Sequence, residues 1–128
     1  MIIGIGIDIV DINRIEKTLD KYGKKFKLRC FSKNEIDSSE KKIKPANSYA
    51  KKFAAKEALV KALGTGFRDG INFKNIEIKN DKIGKPFVKL DKIVNLRIKK
   101  KFEVKKFNIF LSISDVTEYA IANIIITK

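Results

Sequence analysis

Apolar and polar positions change rhythm several times along the chain, and each rhythm predicts an element. Over residues 2–12, Ile3, Ile5, Ile7 and Ile9 alternate with Gly4, Gly6 and Asp8, which reads as a buried first strand. Ile12, Ile15 and Leu19 then recur at helical spacing, with Asp11 or Asn13 as the N-cap and Gly23 as the stop. Ser32-Lys33-Asn34-Glu35 has the form of a capping box and opens a further short helix. Past Pro45 and Asn47, strong helix formers predict a long helix over about residues 48–63, closed by Gly64. Residues 73–79 alternate imperfectly as a strand, residues 80–86 turn, and residues 87–90 form the next strand. Asp91 opens a basic helix to about residue 101. Two strands close the chain, one alternating through Phe107, Ile109, Leu111 and Ile113, the other through Ala120, Ala122, Ile124 and Ile126. With no convincing internal repeat, the pattern predicts one α+β domain over residues 1–128, an antiparallel sheet packed on a long helix.

Composition narrows the chemistry. A chain of 128 residues with 44% hydrophobic content can bury a core without disulfide staples. Cys30 is the single cysteine, so a reducing, cytoplasmic setting is expected. The apolar start is interrupted by Asp8 and lacks a basic leader and a cleavage site, so no signal peptide is expected. The longest apolar stretch, residues 119–126, contains Asn123 and falls far short of the roughly 20 residues that span a bilayer; a soluble protein with no membrane partner is expected.

Histidine is absent, which excludes the usual protein-ligated zinc sites and both Ser-His-Asp and Cys-His catalysis. Any metal is then a hard cation held by oxygens. Mg²⁺ leads, because it needs only one or two carboxylates plus substrate phosphates. The net charge of +14 calls for an anionic partner. Only Arg14, Arg29, Arg68 and Arg97 are arginines; the remaining basic residues are lysines, which make fewer bidentate contacts to bases.

Candidate chemistry concentrates in the long helix. Phe53, Glu57 and Lys61 share one face, and Gly64-Thr65-Gly66 just beyond can bring backbone close to a ligand. A carboxylate, an ammonium and a glycine-rich exit suit a phosphate and its metal. Glu57 and Lys61 equally fit an ordinary surface pair worth roughly 0.2–0.5 kcal/mol. Asp8, the only charge in the first strand, is either a metal ligand or a cap for the following helix. Gly4-x-Gly6 is no dinucleotide fingerprint, since Ile9 holds the third glycine position. Phe102, Phe107 and Phe110 lie near basic residues where bases can stack, although alternation places Phe107 on the core face. Residues 99–101 read as a solvated helix end. Arg14, Lys17, Lys21 and Lys25 step by three or four residues, so they form one stripe, continued by Arg29, if the helix runs past Gly23.

Taken together, these motifs resemble a known family. Gly4-Ile5-Gly6-Ile7-Asp8-Ile9-Val10, Arg14-Ile15, Phe53-Ala54-Ala55-Lys56-Glu57-Ala58, Lys61-Ala62, Gly64-Thr65-Gly66, Gly84-Lys85-Pro86, Ser112-Ile113-Ser114 and Tyr119-Ala120 resemble holo-acyl-carrier-protein synthase, the small bacterial type of 4′-phosphopantetheinyl transferase. The resemblance implies the fold of that family and transfer of phosphopantetheine from coenzyme A to a serine of apo acyl carrier protein, in the service of fatty-acid synthesis. It implies Mg²⁺ held by Asp8 and Glu57, with Lys61 at the phosphates and Glu57 either orienting water or taking the serine proton. Gly64, Thr65, Gly66, Lys85 and Pro86 would line the nucleotide and phosphate pocket. The stripe of Arg14, Lys17, Lys21, Lys25 and Arg29 would receive the acidic carrier protein, and the assembly would be a homotrimer with its sites between subunits.

One position departs from the pattern. Asp115 stands where the family often has His, so nearby lysines are expected to offset it or its side chain to turn away. The competing reading is a basic nucleic-acid-binding module without catalysis. Asp8 and Glu57 argue against it, since without a metal both repel phosphates.

Overall fold

The computed structural model describes residues 1–67 and 71–128. Its central layer is a three-stranded antiparallel sheet with order β1-β5-β4, built from β1 (Ile2–Asp11), β4 (Asn108–Asp115) and β5 (Tyr119–Thr127). Helix α4 (Pro45–Leu63) lies along one face of this sheet. A two-stranded antiparallel ribbon, β2 (Ile76–Asn80) with β3 (Pro86–Leu90), is hydrogen-bonded separately, with β3 lying beside β4. Helices α1 (Ile12–Tyr22), α2 (Lys24–Cys30), α3 (Lys33–Glu40) and α5 (Lys92–Phe102) complete the α+β architecture. The two expected closing strands and the long helix are present. The buried side chains form one core, with Phe31, Tyr49, Leu59, Ile76, Ile98, Ile124 and Ile126 at its centre.

Small residues set the spacing between helix and sheet. Helix α4 presents Ala54, Ala55, Ala58 and Ala62, and β5 answers with Ala120 and Ala122. On β1 the inward positions are glycines. A Cβ built on Gly6 would stand 1.8 Å from the Ala58 carbonyl oxygen, and one on Gly4 2.7 Å from that of Ala62. This reverses the expected facing of β1. Ile5, Ile7 and Ile9 were expected inside, yet they are 62%, 59% and 60% exposed on the far side of the sheet. The helix backbone approaches so closely that no side chain fits beneath it, and strand alternation then sends the isoleucines outward.

Several boundaries also move. Ile12 begins α1 rather than ending β1, and Asp11 caps that helix by accepting the backbone N–H groups of Asn13 at 2.9 Å and Arg14 at 3.3 Å. Helix α4 starts at Pro45, ahead of residue 48, because proline at the first turn loses no hydrogen bond. Phe73–Asn75 is a 3₁₀ turn, so the strand there begins only at Ile76. Gly23 has φ 49° and breaks α1 from α2, so the basic residues of the two helices do not form one continuous stripe.

The capping box at Ser32 and Glu35 is real and does more than cap. Glu35 is fully buried; its carboxylate accepts the backbone N–H of Ser32 at 2.9 Å and of Ile78 at 2.8 Å, and the Lys56 ammonium at 2.7 Å. Lys56 uses its remaining donors on the carbonyls of Cys30 at 2.7 Å and Phe73 at 2.9 Å. Burial lowers the Lys56 pKa while Glu35 opposes that shift. This pair ties α2, α3, α4 and β2 together, and among the described residues no buried side-chain polar atom lacks a partner.

Candidate active site

The inward face of β1 that carries Gly4 and Gly6 also carries Asp8, and α4 crosses it. Asp8 therefore meets α4 near its C-terminal end. The Lys61 ammonium donates to Asp8 Oδ1 at 2.9 Å. Glu57, one turn earlier on the same helix face, is half-buried. Desolvation raises its pKa, the negative charge of Asp8 raises it further, and Lys61 counters in part. The two carboxylates and the ammonium thus act on one another across a single patch. Lys61 turns to β1 rather than back along its own helix, and Asp8 does not cap α1, since Asp11 does.

Among the described residues no group of three or more His, Cys, Asp or Glu side chains gathers around one point. Asp8 and Glu57 are a pair of hard oxygen donors whose mutual repulsion already favours a cation between them. Such a pair fits an ion that keeps several of its waters and shares its remaining positions with substrate oxygens, as Mg²⁺ does.

A second region is cationic. Lys42, Lys44, Lys51, Lys52 and Lys79 line a cavity of about 690 Å³ together with Pro86 and Asp115. Lys52 is its built element: the ammonium donates to the hydroxyls of Ser39 at 2.6 Å, Ser38 at 2.9 Å and Ser48 at 3.1 Å, and to the Glu35 carbonyl at 3.3 Å. Burial lowers its pKa to about 8, against the pull of the Glu35 charge. Asp115 does have a lysine for company, with Lys51 Nζ 3.8 Å from its carboxylate. Sequence reasoning assigned no role to Lys42, Lys44, Lys51 or Lys52. The available signal was the four-residue step from Lys52 to Lys56, two lysines at helical spacing in an otherwise apolar, alanine-rich segment.

The remaining candidates are dispersed. Gly64 caps α4 in the left-handed conformation at φ 74° and Gly66 lies at φ 65°, both with open space where a side chain would stand. Thr65 lines a smaller cavity beside α5. Gly84 and Pro86 line the cationic cavity, whereas Lys85 is exposed on the turn, its backbone N–H held by Asp81 at 2.9 Å. Arg14, Lys17 and Lys21 are exposed on α1, and Lys25 and Arg29 on α2. Asp8, Glu57 and Lys61 are not among the residues that line the cationic cavity.

Similarity to known proteins bears on this arrangement. The pattern of the 4′-phosphopantetheinyl transferase superfamily matches residues 4–123. The chain is 49% identical over 128 residues to holo-(acyl-carrier-protein) synthase of Pelagibacter ubique, covering 99% of this chain and 98% of that protein. The crystal structure of the Neisseria meningitidis synthase superposes with a TM-score of 0.88 at 36% identity, covering all of both chains. The Bacillus anthracis synthase, solved in complex with CoA (3′,5′-ADP), superposes with a TM-score of 0.81 at 37% identity, covering 100% of this chain and 98% of that one. The chain belongs to the holo-(acyl-carrier-protein) synthases of the 4′-phosphopantetheinyl transferase superfamily.

Proposed function

We propose that residues 1–128 act as one transferase domain, moving the 4′-phosphopantetheine group of coenzyme A to a serine of apo acyl carrier protein and releasing adenosine 3′,5′-bisphosphate. The observation that carries this reading is the convergence of Asp8, Glu57 and Lys61 from β1 and α4 onto one patch. Asp8 and Glu57 would hold Mg²⁺, which supplies charge neutralisation on the pyrophosphate. Lys61 is placed to offset negative charge on the leaving nucleotide once a ligand draws it from Asp8. Glu57, with its pKa raised, is the side chain on this patch suited to receive the serine proton. The adenosine bisphosphate moiety suits the cationic cavity, where Lys42, Lys44 and Lys51 stand beside Pro86 and Lys52 adds its charge. Gly64, Thr65, Gly66 and Lys85 would flank the same substrate.

The site is split within one chain, and the exposed face of the sheet suggests how it is completed. Ile5, Ile7, Ile9, Phe110 and Ile121 leave a large apolar surface open on the strand that holds Asp8 and its neighbours. An apolar surface of that kind calls for a partner. A homotrimer would cover it and could set the cationic cavity of one copy against the carboxylates of the next. The exposed bases of α1 and α2, Arg14, Lys17, Lys21, Lys25 and Arg29, fit an acidic carrier protein, with charge steering the encounter. Work in the cytoplasm in fatty-acid synthesis follows from this substrate pair.

The test is the intact mass of apo acyl carrier protein incubated with this protein, coenzyme A and Mg²⁺, with EDTA as control. A gain of one phosphopantetheine mass that EDTA removes is expected. No gain on a carrier that another transferase modifies would overturn the reading and move weight to a basic nucleic-acid-binding module.

A further inference from the structure

Helix α5 has two apolar sides, and only one of them is used by the fold. Val94 and Ile98 are buried, whereas Ile93 and Leu96 point out at 54% and 56% exposure. Arg97 and Lys100 follow on that outer face at helical spacing, with Lys92 and Lys101 beside it, all exposed. From residue 92 to residue 106 the chain carries seven basic residues (Lys92, Arg97, Lys99, Lys100, Lys101, Lys105, Lys106) against Glu103, a net charge of 7 − 1 = +6. Arg97, Lys100 and Lys101 also line a cavity of about 380 Å³ together with Leu63, Thr65, Ile71 and Ile98. Leu63, Ile71 and Ile98 belong to the core, whereas the exposed side chains of Ile93, Leu96, Arg97, Lys100 and Lys101 serve neither the core nor the transfer chemistry.

We infer that the outer face of α5 is a docking surface for an anionic lipid bilayer. Aliphatic side chains flanked by lysines and arginine, on a helix lying at the protein surface, match the interface between acyl chains and anionic headgroups. Four to eight basic residues clustered on such a helix add attraction to acidic lipid. A nucleic acid fits less well, because no aromatic ring is exposed on this helix for base stacking. An acidic helix fits less well too, because Ile93 and Leu96 are exposed and are not among the residues that line the neighbouring cavity. These residues are distinct from the bases of α1 and α2 assigned to the carrier protein.

The experiment is co-sedimentation of the full chain with vesicles of phosphatidylcholine alone and of phosphatidylcholine containing about a third phosphatidylglycerol, near physiological salt where the Debye length is about 8 Å. Binding to the anionic vesicles only is expected. Arg97→Glu/Lys100→Glu/Lys101→Glu should abolish it, and Ile93→Ser/Leu96→Ser, which leaves the charge intact, should weaken it about tenfold. Lys74→Glu/Lys82→Glu/Lys89→Glu, which alters net charge equally on exposed positions elsewhere, should leave most binding in place. All three variants should retain the wild-type far-UV circular dichroism and transfer phosphopantetheine in solution at the wild-type rate. Three results would overturn the inference: no binding to anionic vesicles, equal loss in the remote charge variant, or indifference to Ile93 and Leu96. Loss of carrier modification in the α5 variants would assign the face to the carrier protein instead, which also overturns it.

Discussion

Gly6 sits where a single methyl group cannot be added. A Cβ 1.8 Å from the Ala58 carbonyl forces strand and helix apart, so Gly6→Ala should cost about 3 kcal/mol, the upper range for overpacking. Urea denaturation reads this directly; an unchanged midpoint would mean that β1 and α4 are not held so closely. The same contact explains why the facing of β1 was illegible in the sequence. Alternating isoleucines look like a core face, and nothing in a string of residues says that the helix opposite comes too close for them. Asp8 was legible as an anomaly, and the glycine face is what delivers it to Lys61. At this patch Glu57→Gln should reduce transfer by at least about 10³-fold with unfolding unchanged, since a neutral amide neither holds a cation well nor accepts a proton. Lys61→Ala should lower kcat about 10²-fold, the scale of one lost transition-state charge contact, with little effect on the KM for carrier protein. Steady-state kinetics on both variants separates these outcomes.

Helix α4 joins three tasks on three sides: Lys52 faces the cationic cavity, Lys56 enters the core, and Glu57 with Lys61 faces Asp8. The long helix was plain in the sequence, because its alanines and lysines all favour helix. The burial of Lys56 was not, because its partner Glu35 lies on another helix and lysine is seldom buried. Lys52 carries a pH dependence with a defined sign. Its pKa is lowered from 10.5 to about 8, so its ammonium opposes folding at neutral pH, and that penalty is relieved as the pH rises from about 8 towards 10.5. Affinity for coenzyme A should move the opposite way, falling as the pH passes through about 8 and Lys52 loses its charge. Calorimetric titration at pH 7 and pH 9 tests it, with Lys52→Met expected to flatten the profile. On α1, Lys17→Glu/Lys21→Glu should raise the KM for carrier protein and leave coenzyme A binding alone; a fall in coenzyme A affinity would place those lysines at the nucleotide.

For the whole molecule, the uneven use of apolar residues is the informative feature. Ile5, Ile7, Ile9 and Phe110 are no less hydrophobic than the residues of the core, yet one copy of the chain leaves them in water. A sequence does not distinguish side chains buried within a subunit from those buried between subunits, because both obey the same transfer free energy. Ile7→Glu should therefore give a folded monomer by light scattering and abolish transfer, whereas a variant that remains oligomeric and active would show that the sheet face is not the interface.

Lys56 also serves as a chemical clock. Its ammonium is sealed at 0% exposure and its three protons are committed to Cys30, Glu35 and Phe73, while most lysines around it lie open to solvent. Acylating reagents attack only free, deprotonated amines, so surface lysines should be modified at once and Lys56 only when α3, α4 and β2 separate. The lag before Lys56 carries a label, followed by peptide mass spectrometry, would measure how often that junction opens, without any substitution in the chain.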